Sequence, residues 1–357
     1  LRRLEVLSRV DGGLLTAREA AELLELSVRQ VRRNLATYRE EGPVALAHGN
    51  RGRQPAHTIQ GEVCARVIEL ATSKYRDYNH QHLTEMLERE GISLSRSTVR
   101  RILSAAGLKS PRKRRAPKHR QRRERYAQEG MLLQTDGSDH AWLEERGPRL
   151  CLIAGADDAT GKIAGATFRL QEDAQGYMLV LEQVVCRYGV PLALYHDLHG
   201  IFVRPARESE TIAEQLAGKR EPTQFGRVLE ELGIASISAH SPQAKGRIER
   251  LFETLQDRLV KALREAGAKT LEEANVVLAK FIEEYNARFA VEPAEAGLAY
   301  LPLPKGAHIE EVCCFKYVRV VGSDNTVRFA SQRLQILPSK ERPTYVRLRV
   351  EVHERLD

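Results

Sequence analysis

No apolar run in this chain approaches the ~18 residues that a membrane-spanning helix needs, and the N-terminus lacks the hydrophobic stretch of a secretion signal. The five cysteines, at 64, 151, 186, 313 and 314, form no Cys-x-x-Cys pair, and the neighbours at 313 and 314 are poorly placed to bridge each other. A disulfide framework and a zinc ribbon are thereby excluded, and all five thiols are expected to be reduced and buried. His80 and His82 have no cysteine pair nearby to complete a zinc finger. A Gly-x-x-x-x-Gly-Lys-Ser/Thr phosphate loop is missing, so no nucleotide cofactor is expected, and nothing arranges a Tyr or Ser nucleophile as a recombinase would. The expectation is a soluble, cytoplasmic protein with no membrane partner. Because position 1 is Leu, the numbering is expected to begin inside a longer gene product.

What the chain does have is charge, unevenly placed along 357 residues, a length that suits two or three domains. Residues 1–127 carry 27 Lys and Arg against 14 Asp and Glu, a net of +13, which leaves −5 on the remaining 230 residues of a chain whose total is +8. Such segregation points to a polyanion partner for the N-terminal part, with an inert basic surface as the alternative.

The stretch from Leu14 to Leu35 reads as two short helices joined by a tight turn, with capping signals at Thr16/Glu19 and Ser27/Gln30. Ala20, Leu23 and Leu24 are expected inward from the first helix, as are Val28, Val31 and Leu35 from the second. Arg29, Gln30, Arg32 and Arg33 are left outward, residue types that reach base edges and phosphates from a recognition helix. A Gly- and Arg-rich connector carrying Arg51 and Arg53 then suits a phosphate backbone or a minor groove. Helices are expected near 61–73, 80–90 and 96–106, the last presenting Arg96, Arg100 and Arg101. Residues 107–127 hold ten Lys and Arg against one acid, among them Lys113, Arg114 and Arg115; such a linker stays extended and adds salt-sensitive affinity for nucleic acid.

Beyond the linker the pattern changes. Residues 131–138, 149–157 and 162–170 read as consecutive strands, followed by a helix over 174–188, a strand over 191–197 and another over 235–238. This is an α/β layer with a mixed sheet. Alternation in the first strand places Gln134, Asp136 and Ser138 on one face, and Asp197 leaves at the end of its own strand. Ile248, Leu251, Leu255 and Leu259 recur at helical spacing, so the helix over 243–266 packs one stripe on a core and carries Glu249 on its flank with Lys245 and Gln256. Three carboxylates from two strands and a helix would repel without a cation, and hard divalent ions take oxygen ligands readily, so magnesium is the natural guest. Asp157 and Asp158 compete for the role but read as turn residues, and His140, His199 and His240 read as structural.

Leu133-Gln-Thr-Asp-Gly-Ser138, Tyr195-His-Asp-Leu-His-Gly200 and Ser241-Pro-Gln-Ala-Lys-Gly-Arg-Ile-Glu-Arg250 resemble the three signature blocks of DDE transposases and retroviral-type integrases, specifically the ISNCY group of bacterial insertion sequences. Thr223-Gln-Phe-Gly226 and the helix-turn-helix start fit the same resemblance. It implies a ribonuclease-H-like core in which Asp136, Asp197 and Glu249 are catalytic and hold two Mg²⁺ ions, with Mn²⁺ able to substitute. It also implies binding of transposon-end inverted repeats and target DNA, with cleavage and strand transfer by a homodimer or higher oligomer on the bacterial nucleoid. Lys245, Arg247 and Arg250, around Glu249, are assigned to DNA. His196, Leu198 and Gln256 depart from the family pattern, which bears on DNA contact near the scissile phosphate. A domesticated regulator that binds sites without cutting is the alternative.

The expected organisation is a helix-turn-helix domain at 1–48, a second helical DNA-binding domain at 49–106, the linker at 107–127, the core at 128–300 and a small β-barrel at 305–357. Strands for the barrel are expected at 312–321, 326–329, 332–336 and 344–352. The polar stretch 204–222, inserted between Asp197 and Glu249, is expected to be a mobile flap that orders on DNA.

Overall fold

The computed structural model describes residues 2–47, 58–111, 116, 123–197, 200–204, 214, 220–238 and 246–356. The chain divides into two compact units, 1–110 and 111–357.

In the first unit, helices α1 (Arg2–Asp11), α2 (Ala17–Leu24) and α3 (Val28–Glu41) close around Val6, Leu7, Ala20, Ala21, Val31 and Leu35. Helix α1 was not expected from the sequence, and it completes the core that two short helices could not bury alone. The Thr16/Glu19 capping box forms in full. At Ser27 only half of it forms: Ser27 Oγ accepts from Gln30 N, but the Gln30 side chain turns along the helix to Asn34 and Arg33 instead. Leu23, expected inward, is 45% exposed, and Ala21 takes its place. The left-handed Glu25 ends α2 and rotates the apolar stripe toward Ala20, Ala21 and Leu24. Helices α4 (Gly61–Thr72), α5 (His80–Arg89) and α6 (Arg96–Ala105) lie where periodicity put them and bury Val67, Leu70, Tyr78, Leu83, Leu87 and Val99.

The second unit is built on a five-stranded sheet of β1 (Leu133–His140), β2 (Leu150–Asp157), β3 (Ile163–Arg169), β4 (Ala193–His196) and β5 (Ala235–Ser238), in the order β3-β2-β1-β4-β5. The first three strands are antiparallel neighbours, while β4 runs parallel to β1 and β5 parallel to β4. The mixed sheet expected of a ribonuclease-H-like core is therefore present. Every residue of β2 is buried, because helices cover both faces. Leu150, Leu152, Ala154 and Ala156 point to one face, where α9 (Gly246–Glu265) and α10 (Leu271–Phe289) pack. Cys151 and Ile153 point to the other, toward α7 (Ala174–Arg187) and α8 (Gln224–Leu232). Gly165 lets α7 approach β3 closely, since a Cβ there would stand 2.8 Å from the Val180 carbonyl oxygen.

Two side chains of α10 protect the outer edge of the sheet. Asn286 exchanges hydrogen bonds with the backbone of Ile163, and Asn275 with that of Phe168, filling groups that an edge strand leaves open. On α10, Ala274, Leu278, Ile282 and Tyr285 are buried, whereas Val276 is 62% exposed. The block Thr223-Gln-Phe-Gly226 has a structural explanation. Thr223 Oγ1 caps α8 by accepting from Gly226 N at 2.9 Å, Phe225 enters the core, and Gln224 exchanges two hydrogen bonds with the Lys316 backbone.

After a short helix, α11 (Ile309–Val312), the C-terminal segment departs from the expected barrel. Strand β6 (Phe315–Val320) pairs only with β9 (Arg349–Glu354), and β7 (Thr326–Phe329) only with β8 (Gln332–Gln335). These are two separate ladders, so no closed barrel forms among the described residues. Strand β8 is exposed at every position and β6 exposes Val318 and Val320, which leaves no interior for a barrel to enclose. The last strand also begins at residue 349 rather than 344. Among the cysteines, Cys186 is exposed, contrary to expectation, and all five are free thiols. No helix among the described residues is long and apolar enough to cross a membrane.

Leu255 is fully buried on α9, so Leu255→Ala is expected to lower unfolding free energy by ~2–5 kcal/mol. Val276→Thr, on the exposed face of α10, is expected to change it by less than ~0.5 kcal/mol. Urea unfolding followed by circular dichroism separates the two outcomes.

Candidate active site

Strand pairing decides where the first two carboxylates meet. Leu133 lies opposite Leu194 and Gln134 opposite Tyr195 in the parallel β1–β4 ladder. Continued two residues further, the same register sets Asp197 beside Asp136, on strands ~4.8 Å apart. Residues level with each other in a parallel pair face the same way. Asp136 is also paired across β2 with Ala154, which faces α9 and α10. Asp136, in the middle of β1, therefore faces the helix α9 side of the sheet, and Asp197 follows directly on the carboxyl end of β4; both are half-buried.

Glu249 arrives on that side through α9. The predicted stripe Ile248, Leu251, Leu255 and Leu259 is buried, and Glu249 is exposed on its flank. Two contacts tie the helix to β1. Arg247 Nη1 and Gln134 Nε2 both donate to Asp158 Oδ1 at 2.5 Å, and Gln256 Nε2 donates to Ser138 Oγ at 3.2 Å. Nine helical residues rise ~13.5 Å and four strand residues span ~13 Å, so helix and strand advance together between these ties. Asp136 lies between them on the strand, as Glu249 does on the helix. Glu249 and Gln256 are seven residues apart, about 20° around the axis, so the face that touches β1 through Gln256 is the one that carries Glu249.

Other groups near Asp136 went unread in the sequence. Glu172 lies against the strand at Gly137: a Cβ on Gly137 would stand 2.7 Å from the Glu172 carboxyl carbon. Tyr177 Oη donates to Glu172 Oε1 at 2.5 Å. Burial, then Glu172, then Asp136 and Asp197, push the Tyr177 hydroxyl far above its ordinary range, so it remains a donor. Burial, with Glu172, Asp139 and Asp136 nearby, also raises the Cys151 thiol to about 12, leaving it unreactive at neutral pH. The signal for Glu172 was the glycine after Asp136, whose purpose shows only in three dimensions.

The residues departing from the family pattern divide. His196 is fully buried, its Nε2 lies 2.7 Å from Ser236 Oγ, and its ring stacks on Phe202 at 4.2 Å, so it belongs to the core rather than to a DNA surface. Gln256 contacts β1 as described. Leu198 lies outside the described residues, as do His199, His240 and most of the 204–222 stretch. His140 is half-buried with its ring edge toward Trp142, and burial lowers its basicity. Asp157 is the last residue of β2 rather than a turn residue, and its side chain holds the turn that follows, accepting from Thr160 N, Thr160 Oγ1 and Gly130 N.

Of the residues assigned to DNA, Arg29, Arg32 and Arg33 are exposed on α3, and Gln30 is half-buried. Arg33 donates to Gln30 at 2.6 Å and Gln30 to Asn34 at 2.8 Å, a side-chain chain along the helix surface. Arg96, Arg100 and Arg101 are exposed and, with Ser97 and Ser104, line an open cleft. Arg250 is exposed and donates back to the Gly246 carbonyl. Arg247, by contrast, is largely buried against Asp158. Arg51, Arg53, Lys113, Arg114, Arg115 and Lys245 lie outside the described residues.

Among the described residues no three His, Cys, Asp or Glu side chains are drawn together closely enough to enclose an ion. Asp136, Asp197 and Glu249 share one side of the sheet without closing on one another. The donor set itself, three carboxylates on two strands and a helix, is the hard oxygen chemistry that suits a divalent cation.

A helix-turn-helix domain model matches residues 2–55 and a homeodomain-like domain model matches residues 30–103. Over its whole length the chain is 37% identical to the y4bF transposase candidate of Sinorhizobium fredii, spanning 77% of that protein. It is 34% identical, over 92% of its length, to the transposase for insertion sequence IS1202 of Streptococcus pneumoniae, spanning 76% of it. Among solved structures, the simian T-cell lymphotropic virus intasome in complex with PP2A regulatory subunit B56 gamma aligns over 81% of this chain and 98% of its own, with 14% identity and a TM-score of 0.37. The trimeric HTLV-2 integrase catalytic core in complex with magnesium aligns over 42% and 84%, with 16% identity and a TM-score of 0.31.

Because a Cβ at Gly137 would displace the Glu172 carboxylate, Gly137→Ala is expected to lower unfolding free energy by ~1–3 kcal/mol. Gly246→Ala, where a Cβ meets nothing within 4 Å, is expected to leave the melting temperature unchanged or slightly raised; differential scanning fluorimetry distinguishes them.

Proposed function

This chain belongs to the insertion-sequence transposases, and from that premise we propose that Asp136, Asp197 and Glu249 are the catalytic carboxylates with which it cleaves transposon ends and joins them to target DNA. It is a DNA transposase with helix-turn-helix modules at its N-terminal end. The observation that supports the assignment is the β1–β4 register, which sets Asp197 beside Asp136 on the face along which α9 runs. A regulator without cutting activity is the weaker reading, because the likeness to transposases runs through the core as well as the DNA-binding modules.

The three carboxylates would hold divalent metal, two Mg²⁺ ions with Mn²⁺ as substitute. When bound, such ions lower the pKa of an attacking hydroxyl and stabilise a departing 3′-oxygen. The side chains of Asp136 and Asp197, on adjacent rigid strands, set the distance between the two halves of the site. Glu249 approaches from a helix anchored on the core. The substrate phosphodiester is cut by water to leave a 3′-hydroxyl, which then attacks a phosphodiester of the target and displaces its 3′-oxygen. No bond between protein and DNA forms. The basic N-terminal modules and the 107–127 linker supply affinity and end recognition, and a dimer or larger assembly brings two ends to one target. The 128–300 segment is the catalytic domain in this scheme.

Asp136→Asn, Asp197→Asn and Glu249→Gln are each expected to reduce end cleavage and strand transfer by at least ~10³-fold while changing the Kd for end DNA less than ~3-fold, since affinity resides in basic residues elsewhere. Gel-based cleavage with Mg²⁺ and filter binding measure the two quantities. A variant that still nicks would remove its residue from the site.

Arg29→Ala and Arg33→Ala are expected to weaken binding to end DNA by ~5- to 150-fold with a smaller effect on random DNA, the range for a lost base contact. Charge reversal across Lys113, Arg114 and Arg115 should weaken all sequences alike and flatten the salt dependence. Equal losses on end and random DNA for the α3 variants would overturn the recognition-helix assignment.

A further inference from the structure

Asp158 stands at the junction of three segments that the sequence keeps far apart. Its side chain is completely buried. Oδ1 accepts from Gln134 Nε2 on β1 and Arg247 Nη1 on α9, each at 2.5 Å, and from Arg123 Nη2 at the end of the basic linker. Oδ2 accepts from the backbone N of Tyr126 at 2.9 Å. A carboxylate offers about four acceptor positions, and this one uses four. The surrounding groups tighten the same knot: Arg247 Nη2 donates to the Arg123 carbonyl at 2.6 Å, and Arg125 Nη1 donates to the carbonyls of Asp158 and Ala159 at 3.0 and 3.1 Å.

The turn after β2 does not account for this arrangement. Asp157, next door, already closes that turn through Thr160. Asp158 instead joins β1, α9 and the segment 123–126 through a carboxylate that is itself fully buried, where hydrogen bonds from charged donors are strong. The other tie between α9 and β1, Gln256 to Ser138, is a single neutral bond of 3.2 Å. Arg247 lies two residues before Glu249. A slip of α9 by one residue would move Glu249 by ~1.5 Å and turn it ~100° away from the strand.

We propose that Asp158 is a positioning residue for Glu249, fixing the level of α9 on β1 so that the Glu249 carboxylate comes to Asp136, and tying that level to the end of the DNA-binding linker. The proposal rests on the carboxylate site described above. Asp158 touches neither metal nor DNA; it acts through Arg247 and Gln134. Arg123 makes the linker's last turn part of the same joint, so the segment that leads to DNA and the helix that carries Glu249 share one anchor.

The test uses the full chain, stripped of metal and then titrated with Mn²⁺ by calorimetry, alongside end cleavage and circular dichroism. Asp158→Asn, in its folded state, is expected to raise the Mn²⁺ Kd and lower kcat by ~10- to 100-fold each, the usual cost of losing a group that orients a metal ligand, with KM for end DNA within about twofold of wild type. Arg247→Lys keeps the charge but replaces the fork with a point donor, and is expected to lose less than Arg247→Ala in both readouts. Glu249→Gln is the control for the site itself. If Glu249→Gln abolishes cleavage and Mn²⁺ binding while folded Asp158→Asn and Arg247→Lys match wild type, positioning by Asp158 is refuted and the site stands. If Glu249→Gln also leaves both unchanged, the site assignment fails. A rise in KM with kcat preserved would make Arg123 and Arg247 DNA contacts and overturn the proposal, as would loss of the folded state in both Asp158→Asn and Arg247→Lys.

Discussion

Parallel pairing of β1 with β4 is the constraint on which the rest of the second unit depends. A parallel neighbour requires a crossover, and α7 provides it, covering one face of the sheet while β2 and β3 extend the other edge by simple turns. The pairing buries Leu133 and Leu194 together on the α7 face and turns the alternate positions toward α9. The same hydrogen bonds fix the strands from which Asp136 and Asp197 are presented. A one-residue slip in this ladder would separate them and expose the apolar set as well, so the geometry of the acids is secured by the stability of the core.

Charge is handled differently in the two units. On α3 and α6 the arginines stand exposed, where solvation is cheap and phosphate is reachable. In the second unit several arginines are paired with acids: Arg247 with Asp158, Arg264 with Glu144, Arg227 with Glu231. Glu172 and Tyr177 are joined by a hydrogen bond on the α7 face, opposite to the face of Asp136, and the glycine at 137 makes room for them.

Much of this was legible in one dimension. The helix over 61–72, the strand over 235–238, the cap at Thr16 and the buried stripe of α9 follow from local periodicity and capping, which act over a few residues and survive into the fold. The misreadings lie where a distant segment decides. Leu23 faces out because α1, packing through Val6 and Leu7, closes the core against Ala20 and Ala21 instead. The C-terminal strands have the alternation of a barrel but too little apolar surface to fill one, and they settle as two ladders.

By itself the sequence determined that Asp136 sits on a strand, Asp197 at the end of one and Glu249 on a helix, because strand and helix periods are local properties of side-chain spacing. It also determined the segregation of basic charge. Only the tertiary structure decided that Gln134 is level with Tyr195, that Arg247 serves Asp158, and that Gln256 is turned to β1. Register between strands and the level of a helix on a sheet depend on contacts between residues 60 to 120 positions apart. Those contacts come from the packing of whole faces, which no single stretch of chain encodes.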